Sequence, residues 1–202
     1  ETTAAIRRYA VWTYYLGNFM AAAGFCCVFG GTVRDWLWAG VSGLVIGFVT
    51  RCMDRLEVNP FFSTMAASFL MALPAYVAAG LGWLDCVAAV IIGALMLLVP
   101  GLLITNSMRD IIYGDTSSGV SRIVQVLLSA FAIALGTAAA WHVTTPIYGH
   151  AETVAALTYP LWAQGIATFV ACLGFVILFN VHDWGCVLCA LGSAPVSYTH
   201  LR

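Results

Sequence analysis

The chain contains no lysine, and only 8% of its 202 residues are charged. A soluble domain of this size carries roughly 25% charged residues to keep its surface wetted, so a water-soluble globule is excluded. A formal net charge of −1 with no basic run excludes a nucleic-acid footprint. The sequence also lacks a nucleophile elbow, a phosphate-binding loop and any His/Asp/Glu spacing suited to a metal. Those absences argue against an enzyme and imply neither metal nor cofactor. Nor is there an initiator methionine or a signal-peptide pattern: the chain opens at Glu1. Residues 1–8 read as the cytosolic end of a preceding region.

What is abundant is apolar sequence. Hydrophobic residues make up 62% of the chain, with a mean hydropathy of +0.94. A spanning helix needs about 20 mainly apolar residues, with aromatic residues at its ends. Six segments fit, namely Tyr9–Phe29, Trp36–Thr50, Phe61–Leu81, Cys86–Thr105, Ile123–Trp141 and Pro160–Asn180, and a seventh starts at Trp184. The predicted class is an all-α, polytopic membrane protein of six to seven transmembrane helices. The second segment is short for a span and is expected to sit thin or tilted. Trp12, Trp36, Trp83, Trp141, Tyr159, Trp162 and Trp184 lie near segment ends, where interfacial belts belong.

Arginines in the short loops orient the chain. With the N-terminus in the cytoplasm, Arg7, Arg8, Arg51, Arg55, Arg109 and Arg122 lie inside and Arg34 outside. Loop 143–159, with His150 and Glu152 but no arginine, then lies outside. The cysteines fall mostly within apolar segments and act there as small hydrophobes; Cys186 and Cys189 match a redox or zinc spacing only in form. Gly43 with Gly47, and Ala132, Gly136 and Ala140, mark faces where helices approach closely.

The chemistry concentrates around the fourth segment. Val99-Pro100-Gly101 interrupts an apolar run that a polar block follows at once. Pro100 cannot donate to the Met96 carbonyl, and its ring pushes against that turn. A carbonyl freed in this way can bind a substrate ammonium, a hydroxyl or a coupling ion; the bland alternative is a simple kink. Asn106 and Asp110, four residues apart, share a helical face. Arg109 suits a substrate carboxylate, and Asp110 suits an amine or a proton; an interfacial loop with a local Arg–Asp pair explains them equally. Asp115 offers an N-cap oxygen to the fifth helix and, with Arg122, a gating pair. Asp85 opens the fourth helix, where it caps the dipole or takes up protons. His142, His150 and His182 are interfacial or in the external loop. No ionisable residue lies in the middle of any segment, so proton coupling is expected at helix ends or in a further part of the protein.

Phe29 to Trp36 and Phe179 to Trp184 form similar hairpin turns, both ending in Asp-Trp, with Gly24-Phe25 upstream of one and Gly174-Phe175 upstream of the other. Five segments separate the two, so the repeat is inverted, the usual basis of alternating access. It predicts five plus five helices. Residues 9–142 form the first half, 143–159 an external loop and 160–194 the start of the second half. Residues 195–202 resemble translated sequencing-adaptor read-through and are expected to be an artefact.

Phe29-Gly30-Gly31, Val99-Pro100-Gly101, Arg109-Asp110, Gly114-Asp115, Ser118-Gly119 with Arg122, and Leu178-Phe179-Asn180 together resemble the threonine/serine exporter family. The resemblance covers residues 9–194, and the block from Pro100 to Arg122 is its most specific part. It implies a ten-helix bacterial inner-membrane protein of two five-helix halves, exporting threonine and serine on the proton gradient. Split relatives are linked with dicarboxylate export. The resemblance thus implies lipid, a small-molecule substrate and protons as partners, together with a homo-oligomer or a partner chain carrying the second half. A small-dicarboxylate exporter and a non-transporting assembly subunit are the alternatives.

Overall fold

The computed structural model describes residues 11–149, 157, 159–179, 188 and 192. Among these residues seven helices follow in order: α1 Val11–Val28, α2 Val33–Arg55, α3 Pro60–Gly80, α4 Val87–Leu95, α5 Gly101–Ile112, α6 Thr116–Tyr148 and α7 Leu161–Leu178. Four of them, α1, α2, α3 and α6, are long and apolar enough to cross a membrane, and α7 adds a shorter apolar helix. The protein is a multi-pass helical membrane protein. The seven helices correspond to six expected segments, because α4 and α5 divide the fourth. The segment expected from Trp184 lies outside the described residues, as do Cys186, Cys189, His150, His182 and residues 195–202.

Two expected boundaries shift for identifiable reasons. The second segment is not short: α2 has 23 residues. Thr32 and Asp35 close a capping box at its start, with Thr32 N–H donating to Asp35 Oδ2 at 2.8 Å and Asp35 N–H to Thr32 Oγ1 at 3.4 Å. At its other end the helix runs on through Arg51 to Arg55, since a helix does not stop where apolar sequence does. The fifth segment grows from 19 residues to the 33 of α6 for the same reason. Asp115 caps α6, its Oδ1 accepting from Ser118 N–H at 3.3 Å.

The core is built from small side chains. Ala21, Ala22, Ala39, Ala72, Ala75, Ala94, Ala132 and Ala140 are fully buried, whereas Leu37, Phe48, Leu127, Phe131 and Trp162 are exposed. This inversion of the soluble pattern is what lipid favours: tails solvate large apolar groups, and association is gained by close backbone approach. Helix α1 is central and packs on α2, α4 and α7; α3 packs on α2, α4 and α6; α5 packs on α6. The expected small-residue faces are used. Gly43 and Gly47 meet Asn18 and Ala22 of α1, and Gly136 meets Met65, Ser68 and Phe69 of α3.

The α1–α7 seam carries an internal symmetry. Both helices have 18 residues, and they correspond position for position at an offset of 150. Trp12/Trp162, Phe19/Phe169, Ala21/Ala171, Gly24/Gly174 and Phe25/Phe175 are identical pairs. The contacts are reciprocal. A Cβ placed on Gly24 would lie 2.8 Å from both Ala171 N and Cβ and 2.9 Å from Ala167 O. One placed on Gly174 would lie 2.6 and 2.9 Å from Ala21 N and Cβ and 2.8 Å from Gly17 O. The equivalent rings of Phe25 and Phe175 meet edge to face at 5.4 Å. Antiparallel helices with reciprocal contacts are related by a local two-fold axis across the pair. Asn18 and Thr168, also equivalent and both buried, each donate to the carbonyl four residues back.

Candidate functional site

The fourth segment breaks earlier than its proline. Helix α4 ends at Leu95 after nine residues, about 14 Å of rise and half the thickness of a bilayer core. Met96 to Val99 form tightened turns, with Leu97 N–H donating to Ala94 O at 3.1 Å and Leu98 N–H to Leu95 O at 2.8 Å. Pro100, which has no N–H, is the N-cap of α5, and Gly101 N–H donates back to Val99 O at 2.8 Å. Among the described residues, no backbone donor therefore reaches the carbonyls of Met96, Leu97 and Leu98. Pro100 and Gly101 line a cavity of about 180 Å³ with Leu97, Val99, Leu102 and Leu103. Phe175, Leu178 and Phe179 of the α7 end close its other side. The cavity wall is apolar except for backbone; its polarity comes from the peptide groups of the break.

Helix α5 places the polar block on the far side of this break. Arg109 and Asp110, adjacent in sequence, diverge by the helical turn: Arg109 is exposed, its guanidinium 6.0 Å from the Tyr113 ring. Asp110 turns into the α5–α6 seam, where Arg122 Nη1 meets its Oδ2 at 2.8 Å and Ser118 Oγ donates to the same oxygen at 3.3 Å. The pairing expected between Asp115 and Arg122 is absent from this arrangement. Asp115 is engaged as the α6 cap, and Arg122, two turns along, reaches back across the hairpin to Asp110. The local Arg109–Asp110 pair is likewise absent. Asn106 is exposed, and between it and Asp110 the buried Ser107 donates to Ile104 O at 2.7 Å. Asn106 and Asp110 are thus not brought into one closed cavity, although both lie on the helix that the break sets free.

At the opposite end of the bundle a carboxylate that sequence reasoning had passed over holds three chain segments together. Asp35 is fully buried. Its Oδ1 accepts from Asp85 N–H at 3.0 Å, and its Oδ2 from Cys86 N–H at 3.2 Å as well as from Thr32 N–H. It therefore caps α4 from α2. Asp85 does not cap its own helix; its Oδ2 accepts from Thr32 Oγ1 at 2.9 Å. The signal was legible as the Thr-x-x-Asp pattern of Thr32 to Asp35, but a carboxylate beside a glycine turn reads as loop. Next to it, Gly31 O accepts from Trp36 Nε1 at 2.7 Å and from Tyr159 Oη at 2.9 Å. Burial, with the Asp35 carboxylate adding to it, holds the Tyr159 phenol above its ordinary pKa, so it remains a donor. Among the described residues no cluster of three His, Cys, Asp or Glu side chains is placed to hold a metal ion.

A broken segment with unpaired carbonyls, set in a lipid-facing bundle, is the architecture of a solute carrier. The model of the ThrE family of threonine/serine exporters matches residues 2–144, well over half of the chain. The chain belongs to this family. ThrE is a transporter family and not an enzyme family. The match includes α1 to α5 and most of α6, hence the Pro-Gly break, Asn106, Arg109, Asp110, Asp115, Arg122 and Asp85. No curated protein and no solved structure matches the chain.

Proposed function

We propose that the protein exports threonine and serine, driven by protons, by alternating access around the α4–α5 break. The observation that carries this reading is the row of unpaired carbonyls at Met96, Leu97 and Leu98 beside a small cavity. Peptide carbonyls at membrane depth are acceptors for an ammonium or a hydroxyl, the two groups that threonine and serine share. Arg109 supplies the cation for the substrate carboxylate. The Asp110–Arg122 pair supplies the coupling step: protonating Asp110 removes its charge, releases Arg122 and loosens α5 from α6. Asp115 keeps α6 capped through the change. Asp85, half-buried at the other end of the bundle, is the second proton-accessible carboxylate.

The local two-fold of α1 and α7 supports alternating access, because an inverted repeat supplies two exchangeable conformations. Under this reading residues 9–142 belong to one five-helix half and residues from 160 onward open the other, carried by the same chain or a partner chain. Among the described arginines, Arg51, Arg55, Arg109 and Arg122 gather at the end of the bundle opposite Arg34, which supports a cytoplasmic N-terminus in a bacterial inner membrane. An amino acid fits better than a dicarboxylate, since Arg122 is neutralised by Asp110 and, among the described residues of α5 and the α5–α6 seam, Arg109 is left as a cation without an ion pair.

The test is transport by the full-length protein in proteoliposomes. Labelled threonine and serine are expected to move against their gradient only when a proton gradient is imposed. Movement of succinate in place of threonine establishes the dicarboxylate reading, and movement of neither substrate establishes the non-transporting one.

A further inference from the structure

Arg34 is out of place on two counts. It is the one described arginine at its end of the bundle, and it sits in the first turn of α2, where the helix dipole already presents positive charge. Its neighbours leave it without a counter-charge. Both oxygens of Asp35 are taken by backbone N–H groups, Asp85 accepts from Thr32, and among the described residues Arg34 has no ion pair. Arg34 lines a cleft of about 230 Å³ with Leu37, Trp38, Gly82 and Trp83. Trp38 and Trp83 stack with ring centroids 5.9 Å apart and 29° between planes, and neither indole N–H has an acceptor among the described residues.

The cleft is held from both sides. The capping box fixes the α2 turn that carries Arg34. A 6→1 turn fixes Trp83: its N–H donates to Ala78 O at 2.9 Å, that of Gly82 donates to Ala79 O at 3.0 Å, and Gly82 takes the left-handed conformation that this closure requires, φ +72°. The cleft lies at the ends of spanning helices, at the level of tryptophan belts and lipid headgroups.

We propose that this cleft binds the phosphate of a membrane phospholipid in the adjoining leaflet. The guanidinium fork takes two phosphate oxygens, the indole N–H groups are available to further oxygens, and the exposed Leu37 flank meets the glycerol and upper acyl chain. A free anion has no use for that apolar flank.

Native mass spectrometry of the full chain, released from micelles containing equal amounts of dioleoyl-phosphatidylglycerol and dioleoylglycerol, tests the proposal. The expected result is one retained phosphatidylglycerol, reduced about tenfold by Arg34→Gln and partly preserved by Arg34→Lys. Leu37→Trp, which fills the cleft and leaves the charge, gives the same loss, so the proposal does not rest on one variant. Inorganic phosphate in tenfold excess over lipid leaves the complex intact. Parental retention in Arg34→Gln or Leu37→Trp, equal retention of dioleoylglycerol, or release by inorganic phosphate overturns it.

Discussion

The α1–α7 seam and the α5–α6 hairpin are both antiparallel helix pairs, and they are built in opposite ways. In the seam, glycine and alanine bring backbones into contact, Gly24 against Ala167 and Ala171 and Gly174 against Gly17 and Ala21. In the hairpin, Gly119 against Ile111 and Ser107 gives one close approach, and Asp110 crosses to α6 through its ion pair with Arg122 and the hydrogen bond from Ser118. The first depends on shape, which has no protonation state. The second depends on a charge pair whose side chains are 21% and 39% exposed. One bundle thus carries two kinds of joint, one set by shape and one by charge.

Several substitutions would break or sharpen that contrast. The largest effect is expected away from both pairs, at Asp35, where shape and charge coincide. Asp35→Ala leaves three N–H donors without their acceptor and is expected to cost about 3 kcal/mol, read as a lowered unfolding midpoint in SDS titration; Asp35→Asn, which keeps a carbonyl acceptor, loses less. Next, Gly24→Ala and Gly174→Ala should each cost about 2 kcal/mol by forcing the seam apart. The two-fold makes a sharper claim, namely that the two losses agree within about 0.5 kcal/mol. Losses that differ severalfold would show that the symmetry is one of sequence and not of packing.

Pro100→Ala restores a donor for the Met96 carbonyl and removes the ring clash. Threonine export by the full-length protein is expected to fall about tenfold, equivalent to about 1.4 kcal/mol, while the melting temperature in detergent holds or rises. In the hairpin, Asp110→Asn should change stability by less than about 1 kcal/mol, as for a partly exposed pair, yet abolish the dependence of export on the proton gradient. The smallest effect is at Tyr159. Its phenol pKa is raised from 10.0, so the folded state favours the protonated form. Its contribution is therefore fully present below pH 10 and is lost as pH rises through the raised value. Alkaline melting curves of the parent and Tyr159→Phe should converge there.

Much of this contrast was legible in the sequence, for reasons that also explain what was missed. Apolar runs and aromatic ends locate α1, α3 and α7 closely, because lipid imposes those patterns directly. Pro100-Gly101 announces the break, but its extent back to Met96 comes from the clash of the ring with the preceding turn, which no residue in 96–99 signals. The ends of α2 and α6 were underestimated because hydropathy marks where lipid ends, and helices run past that boundary. In this structure Arg122 pairs with Asp110 and not with Asp115 because the hairpin sets the registry of α5 on α6. Beyond the Thr32–Asp35 capping pattern, the role of Asp35 was missed because its other partners, the Asp85 and Cys86 amides, are about 50 residues away in the chain and are backbone groups, which carry no sequence signature.

The 33 residues of α6 have a mechanical consequence. At about 1.5 Å per residue the helix is about 50 Å long, roughly 20 Å more than the hydrocarbon it crosses. Its C-terminal part is clamped against α3, where Ala132, Gly136 and Ala140 are buried, while among the described residues its N-terminal part packs on α5. It is therefore a lever with its fulcrum in the bundle. A tilt of about 10° about that fulcrum displaces the tip by roughly 3–4 Å over the surplus length, about the width of a water molecule. A rotation of that size displaces the Arg122 end by more than the 2.8 Å that separates its guanidinium from Asp110.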